Sequence, residues 1–424
     1  MTPAARIAAV ITLLDDVALG RQPADQALAA YVRRRRYIGA KDRRAIADTL
    51  FAILRALTAT DFRLGQAEKS GRLRAARWLV DGGADLDALF SGGGYAPAPL
   101  TAAERAALDQ PPTALPDWAA ANLPEWLVPA FRRRFGDDWP QQAAALNAPA
   151  PVDLRVNRLK ATRDQARGAL AEAGIVAQPT PFSPDGLRLE ARFVPGSLAA
   201  FAEGWVEPQD EASQLVATVA GAQPGMTVVD LCAGAGGKTL ALAAAMDNRG
   251  RLVACDTDGR RLARLAPRAD RAGVRIIDQI IVNDDDTTPP GLAGVADRVL
   301  VDAPCSGTGT WRRQPDARLR IEAETLERLG RVQDRLIRRA ALLCKPGGIV
   351  VYAVCSVLLE EGPERIASAS TADPRLQPVP PAELAAGIPP LPAACLADER
   401  GLSLGPRDCG TDGFFVGALR LADR

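Results

Sequence analysis

Between residues 1 and 85 the apolar positions recur at helical spacing. Ala4, Ile7, Ala8, Val10, Ile11, Leu14 and Val17 fall on one face of a first helix. A second helix is expected over 24–31 and a third over 45–57. Residues 86–116 are broken by Gly, Pro and Ala (91–94, 96–99 and 110–112), which predicts a flexible connection. Helical spacing resumes over 117–135, with Trp118, Leu123, Trp126, Leu127 and Phe131 as core anchors. The pattern then changes. Residues 152–160 and 186–190 alternate as half-buried strands do, around a helix over 163–173 that Thr162 caps and Gly174 stops. After a helix over 211–220, strand-length apolar runs alternate with helical stretches. The strands expected are 227–231, 251–256, 276–282, 298–301 and 349–354, with a closing strand over 414–421. A long helix over 322–343 is ended by a sharp turn at 345–348. Such alternation predicts a parallel, doubly wound sheet. The fold class expected is therefore α/β, in three parts: a helical 1–145, a small α+β module over 146–205, and a Rossmann-like domain over 206–424.

Composition narrows the chemistry more than the fold. The chain has 424 residues, is 47% hydrophobic and 24% charged, and has a net charge of +1. It is globular and not a polycation overall. Cations nevertheless crowd one stretch: Arg33, Arg34, Arg35, Arg36, Lys41, Arg43 and Arg44, around Tyr37. A solvated helix face and a phosphate-binding face both fit that run. Histidine is absent, which excludes a serine–histidine triad, a histidine metal site and the usual general base. The seven cysteines form no Cys-x-x-Cys pair, which argues against zinc and against a disulfide framework. A reducing cytoplasm is expected. No signal-like start or membrane-length apolar run is seen. The expected protein is a monomer with no metal and no membrane partner.

Candidate chemistry gathers at the ends of the expected strands, where open α/β sheets bind ligands. The run 298–301 ends in Asp302-Ala-Pro-Cys305-Ser-Gly-Thr-Gly309, followed by Arg312 and Arg313. The run 349–354 ends in Cys355-Ser356. Two thiols at two parallel strand ends would face one cleft. The run 227–231 ends in a glycine turn, Asp230-Leu-Cys232-Ala-Gly234-Ala-Gly236-Gly237-Lys238-Thr239. Its tail imitates a P-loop, but a P-loop needs glycine where Cys232 stands, and G-x-G-x-x-G is missing. An amino acid–nucleoside cofactor fits better. Its carboxylate would lie over the glycine turn and its ammonium would meet Asp230. Asp256 would bind the ribose hydroxyls and Asp284 the adenine amine. Lys238 would bridge cofactor and Asp302. Arg155, Asn157 and Lys160 suit either RNA contact or an ordinary strand exterior.

Two resemblances extend this reading. Tyr37-Ile-Gly-Ala-Lys-Asp42-Arg43-Arg44 with Leu54-Arg55 resembles the NusB-like helical domain found in front of some RNA methyltransferases, which implies RNA binding. The glycine turn, the Asp302–Gly309 loop with Arg312-Arg-Gln-Pro-Asp316, and Tyr352-Ala-Val-Cys355-Ser resemble the RsmB/Sun family of RNA cytosine-5 methyltransferases. Gln209–Gln214, Arg155-Val-Asn157 and Asp412-Gly-Phe-Phe415 fit that pattern too. The resemblance covers nearly the whole chain. It implies a class I methyltransferase domain and S-adenosylmethionine as cofactor. The cofactor would be held by Asp230, Cys232, Ala233, Gly234, Ala235, Gly236, Gly237, Lys238, Asp256, Arg261, Asp284 and Asp302. It further implies Cys355 as nucleophile at carbon 6 of cytosine, Cys305 in its release, and Asp302 at N3 and the exocyclic amine. Arg312 and Arg313 would guide phosphates. Small-subunit (16S) ribosomal RNA is the implied substrate. A tRNA target, a P-loop-like NTPase and a non-catalytic RNA-binding assembly factor are the alternatives. The chain departs from the family in four places. Ala233-Gly-Ala-Gly-Gly-Lys238 replaces Ala-Ala-Pro-Gly-Gly-Lys, Val354 a threonine, Gln314 a histidine, and Glu361-Gly362 replaces Glu-Asn.

Overall fold

The computed structural model describes residues 1–20, 22–109, 114–190, 198–285 and 287–423. The chain divides into two compact units: Met1–Pro149 with Thr310–Ile321, and Ala150–Gly309 with Glu322–Arg424.

The first unit contains helices and no strand among its described residues. Helix Pro3–Ala18 starts on Thr2, whose hydroxyl accepts from Ala5 N, with proline in the first turn where no amide is needed. Its Val10, Leu13, Leu14 and Val17 pack with Ile46, Leu50, Ile53 and Leu54 of helix Ala40–Arg55. Helix Gly71–Asp81 approaches closely at Gly71, where a Cβ would lie 2.8 Å from the Ile11 carbonyl. Two expectations need correction. The stretch 86–116 is not a loose connection. Helices Leu86–Leu89 and Ala102–Leu108 form there, the second with a Thr101/Glu104 capping box. Phe90, Leu100 and Leu108 join Leu73, Ala76 and Leu79 in one core. Residues 110–113 of that stretch lie outside the described residues. Trp126 is 43% exposed, so it is no core anchor, whereas Leu123, Leu127 and Phe131 are fully buried. Thr310–Ile321 also packs here: Trp311 stacks on Phe131 at 6.2 Å, and the Ala24 amide donates to Asp316.

The second unit holds two sheets. The smaller is antiparallel, ordered β2-β3-β1-β4, from β1 (Val152–Val156), β2 (Ala177–Pro179), β3 (Gly186–Leu189) and β4 (Val206–Pro208). Helix Arg163–Glu172 carries the expected cap, Thr162 and Gln165 satisfying each other's backbone amides. The larger sheet contains β5 (Thr227–Asp230), β6 (Arg251–Asp256), β7 (Ile277–Ile281), β8 (Ala296–Asp302), β9 (Cys344–Val354), β10 (Leu376–Pro378), β11 (Leu402–Leu404) and β12 (Phe414–Leu421). Its order is β10-β12-β9-β8-β5-β6-β7, with β11 paired to β12. β9 through β7 run parallel and β12 is antiparallel to β9. The order reverses between β5 and β8, so their carboxyl ends open a crevice. Val228, Val229, Val299, Leu300 and Val301 are fully buried, as a sheet covered on both faces requires. The turn expected at 345–348 is instead part of β9. Helix Ala323–Leu343 runs straight into extended backbone at Cys344. The extra residues are taken up as a bulge, Ala296 pairing with Cys344 and Arg298 with Ile349, with Gly347 at φ +72°.

Because Phe90 is 2% exposed within an apolar cluster, Phe90→Ala should cost about 3–5 kcal/mol of stability in the helical unit, read by urea denaturation. A loss below about 0.5 kcal/mol would return 86–109 to the status of a loose connection.

Candidate active site

Four parallel strands end at one place. β5 runs into the glycine turn, where Gly234 and Gly236 adopt φ +55° and +83°, and helix Gly237–Ala245 follows. A side chain at Gly234 would press on the Arg261 guanidinium, and one at Gly236 would overlap Leu265, so the turn admits only glycine at both. The Gly234 amide donates to Asp256 at the end of β6, 2.7 Å away. β8 delivers Asp302, which accepts from Lys238 Nζ at 2.6 Å. Lys238 also lies over the Phe414 ring. Burial works to lower the Lys238 pKa, but the Asp302 charge and hydrogen bond outweigh it and hold the ammonium above its usual range.

Cys305 follows β8 and Cys355 follows β9. Their sulfurs are 3.4 Å apart, and both side chains are half-buried. The hydrogen bond with Cys355, then burial, push the Cys305 thiol well above the ordinary cysteine range, so it keeps its proton. Both thiols line a cavity of about 300 Å³ together with Cys232, Asp256, Arg261, Asp284 and Asp302. Seven of the residues singled out in the sequence therefore meet in one cavity.

Others sit elsewhere. Asp230 and the glycine-turn residues Ala233, Gly234, Ala235, Gly236, Gly237 and Lys238 do not line that cavity. Asp230 lies beneath the turn, accepting from Thr239 Oγ1 at 2.7 Å, and its Oδ1 is buried without a hydrogen-bond partner. With Thr239 turned to Asp230 and Lys238 to Asp302, neither serves a phosphate in the P-loop manner. Arg155 and Asn157 are neither RNA-facing nor strand exterior, being 5% and 4% exposed. Arg155 donates to Gln209 and to the Gly237 carbonyl. Asn157 donates to the Gly204 and Ala272 carbonyls. Together they fasten the small sheet to the larger one. Lys160 is exposed. In the first unit Arg33, Arg34, Arg36, Lys41, Arg43 and Arg44 are exposed, while Arg35 folds over Tyr31 at 3.7 Å. Arg33, Arg36 and Arg43 rim a groove of about 630 Å³ floored by Leu28, Val32 and Ile38. Arg312 is 4% exposed and Arg313 half-buried, so Arg312 does not present its charge at the surface.

Sequence reasoning missed the hydroxyl and carboxylate frame beneath the thiols, formed by Ser306, Thr308, Ser356, Gln333 and Glu361. The repeated Cys-Ser dipeptide was its visible trace. Arg335 and Arg339, which line the cavity from the long helix, carried no motif at all.

A family model described as 16S rRNA methyltransferase RsmB/F matches residues 217–420, and one for the RsmF/B-like ferredoxin-like domain matches 123–194. Ribosomal RNA small subunit methyltransferase B of Pseudomonas syringae pv. tomato is 35% identical over 299 residues, 70% of this chain and 65% of that protein. Its counterpart in Salmonella paratyphi B is 36% identical over 302 residues, again 70% of this chain and 66% of that one. The chain thus spans just under two thirds of these relatives' length. Among solved structures, PH0851 superposes with a TM-score of 0.78 at 25% identity, covering 99% of both chains. NSun6 from Pyrococcus horikoshii with SFG gives 0.62 at 19% identity, over 71% of this chain and 99% of that one, a likeness of fold. No helix among the described residues is long and apolar enough to cross a membrane.

Burial pushes the Asp230 carboxyl up to about 7, against the pull of its Thr239 hydrogen bond. The unfolded value is about 3.9. The protonated form therefore adds stability that is complete below about pH 4 and is lost as pH rises through about 7. Asp230→Asn should flatten that decline, measured by urea denaturation between pH 4 and 7.5. Identical slopes in parent and variant would contradict this placement of Asp230.

Proposed function

We propose, from the match of residues 123–194 and 217–420 to the RsmB/F methyltransferase family models, that the protein methylates carbon 5 of a cytosine in RNA, with small-subunit ribosomal RNA as substrate, through a covalent cysteine adduct. The observation that carries this reading is the pair of sulfurs 3.4 Å apart at adjacent strand ends, beside the Lys238–Asp302 ion pair.

The donor set fits S-adenosylmethionine. Carboxylates stand after three successive strands, at Asp256, Asp284 and Asp302, and suit ribose hydroxyls, an adenine amine and a cationic ligand. Asp256 would hold the ribose and Asp284 the adenine amine, with Cys232 and Arg261 along the wall and the glycine turn at the helix start beside the amino acid part. When bound, this cofactor supplies an electrophilic methyl group.

Carbon 5 of cytosine is a weak nucleophile. Attack of the Cys355 thiolate forms a sulfur–carbon 6 bond and pushes electron density onto carbon 5 and N3. As charge builds on N3 a proton from solvent water reaches it, and the Asp302 carboxylate, in hydrogen-bonded contact with Lys238, accepts from that N–H and from the exocyclic amine. After methylation the carbon-5 and N3 protons pass to solvent water, the carbon 5–carbon 6 double bond returns and the sulfur–carbon 6 bond breaks. Cys355 then leaves as a thiolate. Cys305, still carrying its proton, donates a hydrogen bond to that leaving sulfur. The exposed arginines of 33–44 fit RNA phosphates in the first unit and contribute salt-dependent affinity.

The test uses labelled target RNA with S-adenosylmethionine on a denaturing gel. Cys355→Ala should lose methylation and form no adduct. Cys305→Ala should lose turnover but accumulate a protein–RNA adduct. An adduct in Cys355→Ala alone would reverse the roles, and methylation persisting in Cys355→Ala would end the covalent reading.

A further inference from the structure

Cys305 sits on a loop clamped from both sides. On its N-terminal side the Pro304 carbonyl accepts from Gln333 Nε2 at 3.0 Å. On its C-terminal side the Ser306 amide donates to Glu361 Oε1 at 2.8 Å, and the Ser306 hydroxyl donates to Glu361 Oε2. Gln333 Nε2 also donates to Glu361 Oε1 at 3.1 Å, which closes the clamp. Gln333 and Glu361 are 0% and 1% exposed. Glu361 is itself held, since its own carbonyl accepts from the Tyr352 hydroxyl at 2.6 Å. Of the groups that meet this carboxylate, the Ser306 amide and Gln333 Nε2 can only donate, and the Ser306 hydroxyl donates to its other oxygen. A side chain without acceptor oxygens there leaves buried donors unpaired, which is costly.

The Cys355 side is anchored differently. β9 holds it through pairing with β12, Val354 against Phe415, and the Cys355 carbonyl accepts from the Gly309 amide. Glu361 reaches Cys355 only through hydroxyls: Ser306 Oγ to Ser356 Oγ at 3.4 Å, and Thr308 Oγ1 to Ser356 Oγ at 3.0 Å. Loosening the clamp therefore frees Cys305 more than it frees Cys355. The negative charge of Glu361 also lies close enough to Cys305 to help keep its proton on.

We propose that Glu361, clamped with Gln333, is the positioning residue for the second half of the reaction, holding Cys305 where it releases Cys355 from the base. This rests on the covalent reading above and assigns to it a residue outside the cavity lining. The atoms that move are those already described. Glu361 forms no bond to substrate and transfers no proton.

The experiment compares the first turnover with the steady state in Glu361→Met, which keeps a side chain of similar length but removes both acceptor oxygens from the clamp. Single-turnover methyl transfer to target RNA should stay within about threefold of the parent. Steady-state turnover should fall at least about tenfold, and a denaturation-resistant protein–RNA adduct should accumulate. A merely structural loss would lower methyl transfer and adduct together, and that outcome overturns the proposal, as does unchanged turnover without adduct. If Glu361→Met does not fold, Gln333→Met carries the same test by opening the Pro304 side of the clamp. Cys355→Ala and Cys305→Ala run alongside. If Cys355→Ala still methylates, the covalent reading fails. If Cys355→Ala is inactive and Cys305→Ala traps adduct while Glu361→Met turns over normally, only the role of Glu361 fails.

Discussion

Parallel pairing of β8 with β9 is the constraint on which the rest depends. Val301 lies against Tyr352 and Asp302 against Ala353, so the two strands end at the same level. One residue of slip would exchange the faces of every side chain beyond it. The register is defended by a fully buried apolar layer, Val299, Leu300 and Val301 on one strand and Val350, Val351 and Tyr352 on the other. Each fully buried side chain of this size contributes about 1.5–3 kcal/mol. The bulge at 344–348 takes up the surplus residues at the far end, away from the chemistry. Two sulfurs 3.4 Å apart follow from that alignment and from the hydroxyls that tie the two loops together.

Electrostatics then divide the labour in a chain without histidine. Acids gather at the strand ends. One of them, Asp302, is paired by Lys238, while Asp230 is buried beneath the glycine turn and its carboxyl pushed up to about 7. The Cys305 thiol is held in its protonated form by its neighbour and its burial. A protonated thiol beside a leaving thiolate lowers the barrier to departure by donating to developing negative charge, in the manner of any preorganised donor. On the covalent reading proposed above, such a site favours breaking the adduct.

The doubly wound part of the chain was legible because buried strands announce themselves: Val299–Val301 and Ile349–Val354 are short apolar runs that end in small residues. The cap at Thr162 was legible for the same local reason, a hydroxyl three residues before Gln165. Where tertiary contacts decide, local reading failed. Phe90, Leu100 and Leu108 are scattered among Gly and Pro, so their shared core has no period to detect. Gly347 looked like a helix stop and serves a bulge, because the strand continues through it to reach β8. Arg155 and Asn157 suit RNA contact or a strand exterior by their pattern, yet they are buried and bonded to carbonyls that no sequence pattern pairs with them. At the site, the thiols, Asp256, Asp284 and Asp302 were found because strand ends are predictable. Gln333 and the role of Glu361 escaped because both act through Ser306 and Pro304 across long gaps in the chain.

The claim that Cys355 attacks the base and Cys305 does not is tested most directly by a substrate that cannot complete elimination. Target RNA with 5-fluorocytidine at the modified position has no carbon-5 proton to lose, so the adduct should persist after methyl transfer. The trapped complex is digested and the peptide carrying the nucleotide is identified by mass spectrometry. The nucleotide is expected on the peptide containing Cys355, formed only when S-adenosylmethionine is present. A nucleotide on the peptide containing Cys305, or no covalent complex from a protein that methylates ordinary target RNA, would contradict it.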